Sequence, residues 1–133
     1  MSRTAILKWA LISRTATEGR AVAEPRLASG LWVSAYLTRL RLADLPVYVT
    51  AKGDATAGAV IVKCATLDGR ARAYTRMFDF MADERKWVVL AEGAEAEVDQ
   101  AVARARANDP DLWVIEVEDR AGRTLLEQEG LSQ

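Results

Sequence analysis

The sequence has no histidine and a single cysteine, Cys64. Without histidine, neither the Ser-His-Asp nor the Cys-His nucleophile system can be assembled, nor the two-histidine helical motif of zinc proteases. One cysteine excludes an internal disulfide, a Cys-x-x-Cys redox pair and a thiolate-based zinc site. Long apolar runs are also missing, since no uncharged stretch approaches the roughly 20 residues that a spanning helix needs. The eight glycines form neither GxxxxGK(S/T) nor GxGxxG, which removes the P-loop and the dinucleotide fingerprint. Carboxylate, Lys, Arg, Ser, Thr, Tyr or lone-thiol chemistry remains, and no cofactor or metal site is indicated.

What is present fits one folded domain. The chain has 133 residues, of which 50% are hydrophobic and 28% charged, as in globular rather than disordered proteins. Its net charge of −1 conceals an asymmetry. Residues 1–91 carry 14 basic and 8 acidic groups, net +6, whereas residues 92–133 carry 4 and 11, net −7. Such polarity suits self-association as a homo-oligomer, or another protein with a complementary face. A pI near 5.5 argues against a general nucleic-acid binder. The absence of disulfides suits a reducing cytoplasm. Arg3, the apolar patch at 6–12 and Ala21-Val22-Ala23 resemble a signal peptide, but Lys8 interrupts the patch.

Residues 1–26 read as an N-terminal extension, with five basic and two acidic residues and Glu24-Pro25 near its end. A short helix at 5–13 would carry Trp9, and Ile6, Leu7 and Leu11 would dock on the domain or form an exposed patch seeking a partner. Residues 27–133 read as a single α/β domain. Ser29 is placed to cap a helix over 31–43, where Val33, Tyr36, Leu37 and Leu40 share one face. Leu31, Val33, Ala35 and Leu37 also alternate, so a strand competes; length and cap favour the helix. Strands follow at 47–52, 59–67, 70–78 and 86–91, with Asp68-Gly69 as a two-residue hairpin loop. A helix at 94–107, with Val98, Ala101, Val102 and Ala105 on one face, stops at Asn108-Asp109-Pro110. A last strand covers 112–118, and Leu125-Leu126 is a candidate to pair back. The order α-β-β-β-β-α-β predicts a five-stranded sheet, largely antiparallel or mixed, with a parallel pair only across the second helix. Trp32, Trp87 and Trp113 are expected in the core.

The run Gly30-Leu31-Trp32-Val33-Ser34-Ala35-Tyr36-Leu37-Thr38-Arg39 carries a family resemblance. So do Gly53-Asp54, the run Ala57-Gly58-Ala59-Val60-Ile61-Val62-Lys63, and Leu67-Asp68-Gly69. Asp109-Pro110-Asp111-Leu112-Trp113-Val114-Ile115-Glu116-Val117-Glu118-Asp119-Arg120 closes it. Together they resemble the small alphaproteobacterial family catalogued as domain of unknown function 1491, over residues 26–126. The resemblance implies a cytoplasmic α/β domain and transfers no catalytic residues. Asp44 stands where the family pattern has glycine after the first helix.

The most pointed candidate site is the hairpin. A two-residue loop sets Leu67 opposite Arg70, Ala65 opposite Arg72, Lys63 opposite Tyr74 and Ile61 opposite Arg76. Period 2 then gathers Lys63, Arg70, Arg72, Tyr74 and Arg76 on one face, with Val60, Val62, Cys64, Ala73 and Met77 turned to the core. A basic stripe holding an aromatic suits a phosphate or other small anion, with Tyr74 or Lys63 as a proton donor in an enzymatic version. The bland alternative is a solvated face, or one neutralised by Glu116 and Glu118 across the sheet. The acidic residues Asp109, Asp111, Glu116, Glu118 and Asp119 lack calcium-loop spacing. Cys64 on a buried face is expected to act as a small hydrophobe, away from Lys63 and Arg72. The sequence therefore leans toward a non-enzymatic binding or interaction protein, with a small anionic-ligand domain or enzyme as the competitor and a nucleic-acid regulator behind both.

Overall fold

The computed structural model describes residues 27–128; the expectations for residues 1–26 lie outside them. Helix α1 (Ser29–Leu42) precedes strands β1 (Val47–Ala51), β2 (Val60–Ala65), β3 (Arg70–Asp79) and β4 (Glu84–Ala94). Helix α2 (Glu95–Asn108) and strand β5 (Trp113–Glu118) complete the order, which is the order that the hydrophobic periodicity predicts. The sheet runs β1-β5-β2-β3-β4. Its one parallel pair is β2 with β5, joined through the α2 crossover as expected.

Each helix covers one sheet face. Trp32, Val33, Tyr36 and Leu40 of α1 pack on Val60, Val62, Ile115 and Val117. Val98 and Val102 of α2 pack on Ile61, Ala71, Ala73 and Val114. Because β2 lies inside the sheet with both faces covered, all six of its residues are buried, and its sequence cannot alternate. Trp32 and Trp113 are buried as expected, and Trp87 is half-buried against the α1 core.

Three local expectations are corrected. Ser29 does not cap α1. Ala28 is the N-cap, and the Ser29 hydroxyl donates instead to the Gly58 carbonyl at 2.6 Å, tying the helix start to the β1–β2 connection. Met77 is 60% exposed rather than core. Leu125-Leu126 forms no strand; Leu126 is buried in the α1 core and Leu125 takes φ +59°. Asp44, the residue standing in for glycine, adopts φ +60°. Around it the Leu45 N–H reaches the Leu40 carbonyl and the Asp44 N–H the Arg41 carbonyl, both at 3.0 Å. This is the Schellman closure, with Leu40 and Leu45 both buried as its apolar contact.

The β1–β2 connection is pressed against the end of α2. A Cβ at Gly53 or Gly58 would lie 2.2 or 2.3 Å from the Asp111 carbonyl oxygen, so only glycine fits. The Asp54 N–H donates to that same oxygen at 2.9 Å, while the Trp113 indole N–H donates to the Asp54 carbonyl at 2.8 Å. Arg106 completes the clamp, donating to the carbonyls of Leu112 and Lys52 at 2.8 and 3.0 Å.

The free edge at β4 is not a flat template. Tyr74 pairs with Val89 and Ala73 with Ala91, leaving Leu90 as a bulge that twists the edge and blunts strand addition. Beyond the Ile61–Thr75 pair, β3 and β4 run on as a two-stranded ribbon, with Met77, Phe78 and Asp79 opposite Lys86, Arg85 and Glu84.

Candidate anion-binding cleft

The site is set by the size of the hairpin loop. The Thr66 N–H donates to the Arg70 carbonyl at 3.1 Å, closing three residues, Leu67, Asp68 and Gly69, rather than two. Asp68 organises the loop. Its Oδ1 accepts from the Thr66 hydroxyl at 2.6 Å and from the Arg70 N–H at 3.1 Å, and Gly69 supplies φ +87°. Cys64 therefore pairs with Arg72, Lys63 with Ala73 and Val62 with Tyr74. This register is one residue away from the two-residue expectation, and a one-residue slip exchanges the faces.

The expected five-residue stripe is thus corrected. Arg70, Arg72, Tyr74 and Arg76 remain together, now on the α1 face with Val60, Val62 and Cys64. Lys63 turns to the α2 face beside Ala71 and Ala73. There its ammonium is buried and meets Asp99 at 2.6 Å, Glu95 at 2.8 Å and Glu116 at 3.7 Å. Burial pushes its pKa down, but the bonds to Asp99 and Glu95 and the charge of Glu116 outweigh that, leaving it above the ordinary lysine value. Glu116 therefore neutralises Lys63, not the arginines. Arg72 instead takes Glu92 of β4 at 2.8 Å. These pairs join the basic first part of the chain to its acidic last part within one molecule.

Three of the five candidates line one cleft of about 330 Å³: Arg70, Arg72 and Tyr74. Its opposite wall is the turn after β5, Arg120, Ala121 and Gly122, while Glu92 and Gly93 of β4 close one side. The turn is held by Asp119, whose carboxylate accepts from the Arg123 N–H at 2.7 Å and from its Nε and Nη2 at 2.9 and 3.0 Å. The Arg123 guanidinium holds the Asp119 pKa down at about 2. Gly122 takes φ +75° and donates to the Asp119 carbonyl at 2.9 Å. The Tyr74 phenol beside Arg72, and then Glu92, raise the Arg72 pKa.

Arg76 is not in the cleft. Its guanidinium lies over the touching Trp32 and Trp87 indoles, 5.3 Å from the first ring centre and 5.1 Å from the second, a cation–π contact worth about 0.5–2 kcal/mol. Cys64 lines the floor of the cleft at 1% exposure. It is the small buried hydrophobe expected, but Arg72 shares its face, contrary to expectation. Desolvation and then Asp119 push its pKa to about 11, so the thiol stays protonated at neutral pH.

Sequence reasoning missed Arg120, because its partners Arg70 and Arg72 lie about fifty positions earlier. The signal for it was the Ala121-Gly122 turn directly after a strand. Among the described residues, no group of three Cys, Asp or Glu side chains is arranged to hold a metal ion.

The family model described as "Protein of unknown function (DUF1491)" matches residues 27–127. The chain belongs to the DUF1491 family. Solved structures agree with this. A crystal structure of a DUF1491 protein from Caulobacter crescentus CB15 is 38% identical, with TM-score 0.68, and the match covers 77% of this chain and 94% of that one. An NMR structure of a DUF1491 protein from the same organism is 37% identical, with TM-score 0.69 and coverage of 78% and 96%. The solution structure of protein Atu0922 from A. tumefaciens is 33% identical, with TM-score 0.60 and coverage of 71% and 86%. No curated protein matches the sequence. In this DUF1491 domain the hairpin, the Gly53–Gly58 connection and the turn after β5 all fall inside the matched span. Among its described residues, no helix is long and apolar enough to cross a membrane.

Proposed function

We propose that this DUF1491 domain is a non-enzymatic binding protein whose ligand is a small anion held in the hairpin cleft. One observation carries the reading: Arg70, Arg72 and Arg120 converge on the same cleft from chain-distant segments, against two acids, Asp68 and Glu92. Its volume lies at the low end for small-molecule sites. Guanidinium groups suit the planar oxygens of phosphate or carboxylate, which accept paired N–H bonds. The Tyr74 hydroxyl adds a further donor on the same wall.

Two features favour binding over catalysis. Lys63 is held as an ammonium by three carboxylates on the opposite sheet face, and the Cys64 thiol is held protonated. Neither is available as a nucleophile. The free-thiol chemistry suits a reducing cytoplasm. Self-association through opposite charges has less to support it, since Lys63 and Arg72 meet their acids within the chain.

The test is an NMR titration with inorganic phosphate and, separately, citrate at low ionic strength. Millimolar anion is expected to shift the amides of Arg72, Gly93 and Gly122, and R72A/R120A to weaken binding at least tenfold. No shift at these amides, or equal binding by the double variant, would sink the reading.

A further inference from the structure

The ribbon formed by the outer ends of β3 and β4 exposes a run of large apolar side chains, and contiguous exposed apolar surface marks an interaction site. Met77 is 60% exposed, Phe78 41%, Phe80 86% and Met81 97%. Phe78 and Phe80 meet edge to face at 4.7 Å, but below them no third strand or helix lies among the described residues. A two-stranded ribbon alone is marginally stable in water, so this one needs a cover.

The place where the chain enters α1 points to the cover. Trp32, in the first turn of α1, packs on Trp87 of β4 with ring centres 5.6 Å apart, and Trp87 pairs with Arg76. The first turn of α1 therefore lies at the root of the ribbon. Residues 1–26 precede it. Phe78 is two residues beyond Arg76 on the same face, about 7 Å farther along the strand. Residues 14–26 can span up to about 45 Å, so the apolar patch of residues 6–12 has ample reach. At the same root, the buried Trp32 Nε1 has no acceptor among the described residues.

Composition agrees. Residues 5–12 hold Ile6, Leu7, Trp9, Leu11 and Ile12 with one charge, Lys8. The ribbon turn carries three acids, Asp79, Asp83 and Glu84, against two bases, Arg85 and Lys86. The shallow outer face of α1 is the weaker receptor. Its two large apolar side chains, Leu31 and Leu42, are separated by about 16 Å of helix, with Ser34, Thr38 and Arg39 between them.

We propose that residues 5–12 dock on the β3–β4 ribbon of their own chain, covering Phe78, Phe80 and Met81. The segment then acts as a cover for a face that the domain does not bury itself. This inference is independent of the anion cleft, which lies at the opposite end of β3.

A photo-crosslinking residue, p-benzoylphenylalanine, placed at Met81 of the full chain tests it. Equal amounts of ¹⁵N-labelled and unlabelled chains are irradiated together, and the crosslinked peptides are weighed. The expected product joins position 81 to residues 5–12 with matching isotope labels. Mixed-label products, products on α1, or no product on residues 5–12 would overturn the proposal. As a second reading, L7D/W9D in the full chain is expected to speed amide exchange at residues 77–86 at least fivefold, leaving β2 and β5 unchanged. Equal exchange in the ribbon would also overturn it.

Discussion

Arg72 stands opposite Cys64 across the β2–β3 pair. That single pairing puts both side chains on the α1 face, leaves Lys63 on the far face, and opens the cleft toward Arg120. It also ranks the charged groups by role. Lys63 is an internal tie between β2 and α2, while Arg70, Arg72 and Arg120 keep their hydrogen-bonding edges near solvent.

Removing the tie is expected to weaken the domain. K63M leaves Glu95, Asp99 and Glu116 facing one another without a counter-ion. Because those carboxylates can partly rehydrate, the expected loss is about 2 kcal/mol, below the about 3–5 kcal/mol of a fully buried pair. Urea unfolding at pH 7 measures it. The Lys63 pKa is raised by folding, so the tie is complete below the ordinary lysine value and is lost as pH rises through the higher folded value. The gap between wild type and K63M should therefore narrow in strong alkali; a loss below about 0.5 kcal/mol at pH 7 would mean the pairs are ornamental.

Asp119 reports on the wall of the cleft from the acid side. Folding lowers its pKa to about 2, so its contribution is present above the ordinary aspartate value near 3.8 and fades as pH falls toward 2. D119N is expected to cost about 1–2 kcal/mol at pH 7, to flatten the decline of stability between pH 5 and pH 2, and to loosen the Arg120-Ala121-Gly122 turn. Anion affinity should fall with it even though Asp119 does not itself line the cleft. An unchanged acid profile would remove Asp119 from this role.

The Cys64 thiol should be slow toward exposed-thiol reagents. With a pKa of about 11 and 1% exposure, it is expected to react with a disulfide reagent at least a hundredfold more slowly than in the urea-unfolded chain. Rapid labelling of the native protein would contradict the burial described.

Glycine exchanges should act in opposite directions at two positions. G58A forces a Cβ onto the Asp111 carbonyl and is expected to cost more than about 2 kcal/mol. D44G relieves a non-glycine residue at φ +60° and is expected to add about 1 kcal/mol, the usual preference at a Schellman turn. Thermal unfolding of both variants checks the pair of signs.

These positions also show what the linear pattern carries. The elements and their order are legible because helices and strands repeat their apolar residues with different periods, as in Val98, Val102 and the alternating Trp113, Ile115 and Val117. The hairpin is legible too, since Asp68-Gly69 must turn. The loop size is not. It depends on whether the Thr66 hydroxyl and Arg70 N–H both reach the Asp68 carboxylate, a choice of one hydrogen-bond pattern over another of similar energy. Every facing assignment in the candidate site hangs on that choice: the three-residue loop sends Lys63 to the α2 face and keeps Arg70, Arg72 and Tyr74 together. Arg120 was out of reach for a different reason: β5 comes to lie beside β2 only through the crossover, and no local period encodes that neighbour.

The place of β5 in the sheet bears on how the chain comes together during synthesis. β1 has a single strand neighbour, and that neighbour is β5. Until residue 118 has emerged from the ribosome, β1 is unpaired, β2 lacks one side, and α1 has only part of the surface it finally covers. The β2–β3–β4 meander can form early from local contacts, but β5 must have been made before α1 finds its seat. A nascent chain arrested before β5 should therefore present α1 and β1 to chaperones, while one arrested after Glu118 should not.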